Sequence, residues 1–250
     1  ANFTGYTGTF TWTSGFTWTI GDGTAGASNI ALKLVSGMTW SGISSFNQVL
    51  TFVSTSATQQ TIDWGGKTTS TVTFNGAGGS WKYLSAHTVG STGWIVTLTA
   101  GSLDINGQTC SWGSFNSNNT NTRALTLGAA AITITGTGAT WNISQVTGLT
   151  LSAASSTITC NGAALTVSCG TSTTYGTLNL TGSGNVTLNT VSSFTNLNRT
   201  GTAAKTDTFK LDESQTVTGT LTLAGNSTIN RMLVYSGTTG TAKTITAATV

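Results

Sequence analysis

Apolar and polar residues alternate along this chain in short bursts broken by Gly, Ala and Ser. The stretch LTLGAAAITITGTGATW (125–141) shows the pattern twice, in Leu125-Thr126-Leu127 and in Ile132-Thr133-Ile134. Alternation with a period of two is the signature of a half-buried β-strand, because successive side chains point to opposite faces. Leu125, Leu127, Ile132 and Ile134 are therefore expected to face a core and Thr126 and Thr133 to face outward. Gly128 and Gly136 are expected to let the chain turn. No segment carries sustained helical periodicity with caps.

The pattern recurs in VTLTAGSLDI (96–105), LTLGAAAITI (125–134), LTLSAASSTITC (149–160), LNLTGSGNVTL (178–188) and LTLAGNSTIN (221–230). Each is an alternating triplet, a short small-residue turn and a second alternating stretch. Their starts lie 29, 24, 29 and 43 residues apart, and the last gap holds the degenerate segments FTNLNRTG (194–201) and TFKLDESQTVTG (208–219). VLTFVSTSATQQTIDW (49–64) and TVTFNGAGGSW (71–81) read as earlier, more divergent copies. A repeat of this length built only from strands and turns predicts an all-β solenoid, in which each coil buries its apolar face against the next. A β-sandwich or jelly roll is the alternative, but it needs no internal similarity.

Composition agrees with an all-β reading. Threonine is commoner even than the 32 glycines, and β-branched residues favour strands. Proline is absent, which leaves every backbone N–H free for a continuous ladder. Only 6% of residues are charged, against about 25% in ordinary domains. The net charge of +3 is dispersed, with no basic patch for nucleic acid. No apolar run approaches the ~20 residues of a membrane helix, and Ala1-Asn2-Phe3-Thr4 does not read as a signal peptide.

Aromatic residues divide the chain. All eight tryptophans precede residue 142. Residues 1–40 carry a near-tandem TFTWT/GFTWT pair and are expected to form a cap or attachment segment, with residues 41–250 forming the solenoid. A solenoid end otherwise exposes an adhesive strand edge. Most of the aromatics are expected to be buried; Trp12, Phe16 and Trp18 are the candidates for contact with an attachment partner or sugar.

Residues 74–142 include FNGAGGSW, LTAGSLDINGQT, GSFNSNNTNTR and LTLGAAAITITGTG. These blocks resemble Thr/Gly/Asn-rich repeat proteins predicted from phage and aquatic bacterial sequences, and the rhythm extends over about residues 45–250. The resemblance implies a right-handed parallel β-helix of the kind used in tail fibres, spikes and capsid-surface decorations, with no defined enzymatic activity. It implies a non-enzymatic virion-surface protein whose partners are other virion proteins or copies of itself, a homotrimer being one arrangement, and whose outer contact is a host-surface glycan. A bacterial surface adhesin on the same scaffold is the alternative, followed by a polysaccharide-degrading tailspike. Neither nucleic acid nor membrane insertion is expected.

Candidate chemistry is sparse. The only acid cluster is Asp207, Asp212 and Glu213 in KTDTFKLDES (205–214). Glycoside hydrolysis would need two carboxyl groups about 5–9.5 Å apart, and Asp207 and Asp212 meet that only if a turn brings them together. A solvated coil with compensating lysines is the plainer reading. His87, the sole histidine, is expected at a surface or turn. Asp22 in GDGTAG lacks the further ligands of a calcium loop, and Asn106-Gly107 is a turn signal. Cys160 and Cys169 could pair in an oxidising compartment, but all three cysteines, with Cys110, read more simply as small interior residues. No catalytic residue, cofactor or metal is expected.

Overall fold

The computed structural model describes residues 49–204 and 206–250, together with the backbones of four short strands, Thr9–Thr11, Trp18–Ile20, Ile30–Lys33 and Thr39–Ser41. The described residues contain strands and turns and no helix. They form a parallel β-solenoid of about eight turns. Register partners in successive coils, such as Leu50, Val72, Val96, Phe115, Trp141 and Val167, lie 19 to 26 residues apart. At about 4.8 Å per coil the column stands on the order of 40 Å tall.

Each coil visits three faces in order. In the fourth coil counted from Leu50 they are separate strands, Ser114–Asn116, Arg123–Thr126 and Ala131–Ile134. Below it, single strands bend from the first face to the second, as in Val72–Tyr83 and Ile95–Asp104. Above it the bend moves to the corner between the second and third faces, in Leu149–Cys160, Thr173–Leu180, Ser192–Thr200 and Gln215–Ala224.

The alternation seen in the sequence is the inside–outside alternation of this column. Leu125, Leu127, Ile132 and Ile134 are buried. Thr126 is exposed and Thr133 half-exposed. Outward polar residues stack in register as Thr133, Thr159, Asn179, Asn198 and Thr222. Asn198 Nδ2 donates to Asn179 Oδ1 at 2.8 Å, and Asn179 Nδ2 to Thr159 Oγ1 at 3.2 Å.

Two glycine roles differ. Gly128 turns the chain at φ +59. Gly136 has no such φ; a Cβ there would overlap the carbonyl oxygen of Gly113 in the coil below. Gly162 stands on Gly136 and Gly182 on Gly162 in the same way. This file of glycines lets the corner between the third and first faces close-pack. Asn106 and Gly107, both at positive φ, turn the corner after Asp104, whose Oδ1 accepts from Asn106 N at 2.7 Å. The flanking strands pair with other coils, so the signal marks a corner and not a hairpin.

At the N-terminal end, Trp18–Ile20 pairs in parallel with Leu50–Phe52, and Ile30–Lys33 with Gln60–Asp63. Trp12 and Phe16 lie outside the described residues, and Trp18 is described by its backbone alone.

Candidate functional site

Rings fill the interior of the lower coils, and one stacked pair, Tyr175 and Phe194, continues into the upper coils. Trp64, Trp81, Trp112 and Trp141 are each fully buried. Phe52 stacks on Phe74 at 4.9 Å between centroids, Phe115 on Trp141 at 4.7 Å, and Tyr175 on Phe194 at 6.0 Å. Each such ring buries roughly 150–250 Å². The burial expected for most of the aromatics is what these residues show.

His87 overturns the surface placement expected from the sequence. It is 0% exposed and its ring stacks on Trp64 with centroids 4.0 Å apart. Trp112 Nε1–H donates to Nδ1 at 3.1 Å. An indole N–H can only donate, so Nδ1 is the acceptor and the ring proton resides on Nε2. Nε2–H then donates to Thr69 Oγ1 at 2.8 Å, and that hydroxyl donates in turn to Ser70 O. Tyr83 Oη lies 3.2 Å from Nδ1. Burial pushes the imidazole down from 6.5 to about 3. The same burial raises the Tyr83 hydroxyl, helped by Cys110. A neutral histidine with both nitrogens occupied in a sealed core is a packing element, with no free lone pair for a substrate.

The acid cluster does not assemble. Asp207 and Asp212 stand at opposite ends of the strand Thr208–Leu211. Five residues of extended chain span roughly 16 Å, beyond glycosidase geometry. Each acid has a local partner. Asp212 pairs with Lys210 at 2.8 Å and Glu213 with Lys243 at 2.8 Å, as compensated surface charges. Asp207 is buried, contrary to the solvated reading. Its carboxylate accepts from Gly184 N at 2.7 Å, from Thr202 Oγ1 at 2.9 Å and from Thr202 N. Burial alone would raise its pKa, but those bonds and the nearby Arg199 charge hold it below the usual carboxylate range. Asp63 caps Gly65 N and accepts from Ser85, and Asp104 faces Lys82 at 3.8 Å.

Two arginines have roles that the sequence reading missed. Arg199 is 0% exposed and Arg123 2%. Arg123 donates to the carbonyls of Ser117, Asn121, Gln145 and Thr147 and to Ser117 Oγ. It thereby ties together two successive corners between the first and second faces. Arg199 donates to the carbonyls of Leu180, Gly182, Gly184, Thr200 and Thr208, stapling the corner between the third and first faces. Burial lowers both guanidinium pKa values, opposed at Arg199 by Asp207. Both still carry their proton at neutral pH.

Cys110, Cys160 and Cys169 are free and buried, which matches the interior reading. Burial raises Cys110 and Cys160 to about 12, so neither is a reactive thiolate. Among the described residues no group of three or more His, Cys, Asp or Glu is placed to hold a metal.

A concave opening of about 500 Å³ lies on the second face, lined by Val146, Leu149, Leu151 and residues 152–154 and 171–174. It contains no acid, aromatic or histidine. No family model matches the chain, and neither a curated protein nor a solved structure matches it.

Proposed function

We propose that this chain is a non-enzymatic structural protein of a phage virion, a fibre or surface decoration that carries the column outward toward a host-surface glycan. The observation that carries the reading is how the reactive groups are used. His87, Arg123, Arg199 and Asp207 are each engaged inside the column, and the remaining described carboxylates are engaged by neighbouring polar or cationic groups. Such a chain invests its chemistry in rigidity. The Thr/Asn ladders on its outer face hydrogen-bond along the column, coil to coil. The N-terminal forty residues are the proposed attachment segment, with other virion proteins or copies of the same chain as partners.

Mass spectrometry of purified, salt-washed particles tests the reading. It predicts the chain in stoichiometric amounts on intact particles. Recovery instead from bacterial envelopes, with a wall or membrane anchor in the full gene product, would assign it to a surface adhesin. Release of oligosaccharides from host capsule by the purified chain would assign it to a degrading spike.

A further inference from the structure

The second face of the column is not continuous. Leu149–Ser152 pairs over four residues with Arg123–Thr126 below it. The coil above joins it only at Ala153, opposite Tyr175. Among the described residues no strand pairs with the upper edge of residues 149–152.

The cause is the shift of the bend. Lower coils fold between the first and second faces and upper coils between the second and third. The first coil of the upper kind to follow, Thr173–Leu180, enters through a tight corner with Gly170 at φ +89 and Ser172 at φ +61. A Cβ on Gly170 would lie 2.7 Å from Val146 Cγ1. The sheet is thus closed at Ala153 and open toward Leu149.

The open edge retains a strand's recognition features. A parallel strand bonds its two neighbours through alternate residues. Arg123 N donates to Gly148 O and Leu127 N to Ser152 O, both at 2.8 Å, so the even-numbered residues serve the coil below. The carbonyls of Leu149 and Leu151 and the N–H of Leu151 face the opening. Leu149 and Leu151 are only partly covered, whereas Leu125 and Leu103, in register below Leu151, are buried. Hydroxyl-bearing residues 171–174 also line the opening. No charged side chain lines the opening, so a charged occupant would lose hydration without gaining a counter-ion.

We propose that this opening is a binding site for an uncharged extended peptide segment of another protein, which adds as a strand to Leu149–Ser152. Its main chain continues the interrupted sheet, and its alternate apolar side chains pack on Leu149 and Leu151, as in other β-augmentation. A glycan fits less well, because the opening offers neither an aromatic face nor a carboxylate. The inference stands independently of the virion reading.

The test uses the isotope-labelled 250-residue chain and a capped heptapeptide, GTLTLAG, which repeats the sequence of residues 219–225. Titration should shift the backbone amides of residues 149–154 and 171–174 saturably. The variant GTLPLAG, which lacks one ladder donor, and GTKTKAG, which carries charge, should each bind at least tenfold more weakly. Absence of shifts at those amides, equal binding of the proline peptide, or strongest shifts at another edge overturns the proposal. So does a response of the same amides to a neutral maltooligosaccharide in place of the peptide. Shifts that appear with protein concentration alone overturn it in favour of a second copy as the occupant.

Discussion

The lower and upper parts of the column solve the same packing problem differently. From Phe52 to Trp141 the interior is filled by aromatic rings, and a polar network centred on His87 is sealed among them. Above Trp141 the third face is filled by Ile158, Leu178, Leu180, Leu197 and Leu221, with Arg199 in the same inward file. Rings fill volume and leave a few N–H and O–H groups needing partners. Corner carbonyls need donors in both parts: Arg123 reaches four of them beside the rings, and the four terminal N–H groups of Arg199 reach five among the aliphatic side chains. The difference teaches that a charge-poor solenoid places its rare polar residues where the coil geometry strands a backbone or ring group, and not where a substrate would reach them.

The comparison can be broken most severely at the feature both halves share, the glycine file. Gly162→Ala would drive a methyl into the Gly136 carbonyl. A loss of at least about 4 kcal/mol is expected, with unfolding concentrated in the upper coils by hydrogen exchange. Replacing Arg199 with Met keeps the volume inside but takes the donor from five carbonyls and removes the positive charge near the buried Asp207. Denaturant titration should show a loss of about 3–5 kcal/mol, well above the effect of a surface Lys243→Met change. Trp112→Phe removes the donor to His87 Nδ1 together with part of a fully buried ring, with an expected cost of about 2–4 kcal/mol, confined to the lower coils. Asn198→Ala interrupts the outer ladder at one coil. A loss of less than about 1 kcal/mol is expected from a part-exposed amide bond.

Much of this architecture was legible in the sequence. Leu125, Leu127, Ile132 and Ile134 declared their side by alternation, and the spacing of the repeats declared the coil. The misplaced His87 and the two overlooked arginines obeyed the same parity. His87 and Val89 flank Thr88, Arg123 shares parity with Leu125 and Leu127, and Arg199 shares it with Leu197. Their inward direction was therefore written in the pattern. What the pattern could not supply was the partner that makes a buried imidazole or guanidinium tolerable. Many of those partners, Trp112 and Thr69 for His87, the carbonyls of Gln145 and Thr147 for Arg123 and those of Leu180, Gly182 and Gly184 for Arg199, come from neighbouring coils 15 to 25 residues away. Asp207 was misread in part for the same reason, since Gly184 reaches it only once the coils stack, while Thr202 reaches it from the same turn. The opening beside Leu149 was illegible, because it depends on which corner each coil bends at.

A single histidine allows the central claim to be tested without assignment ambiguity. Folded His87 is held near a pKa of about 3 against 6.5 when unfolded. The unfolded chain therefore protonates first as the pH falls. The stability tied to this group is complete above pH 6.5 and drains away from there toward pH 3, by up to about 5 kcal/mol. Nitrogen-15 NMR of the imidazole, followed from pH 7 to pH 4, reads the group directly. The account predicts a neutral ring with its proton on Nε2 and no titration until the column itself unfolds. A ring that titrates near pH 6.5 in the folded protein, or that carries its proton on Nδ1, would contradict it.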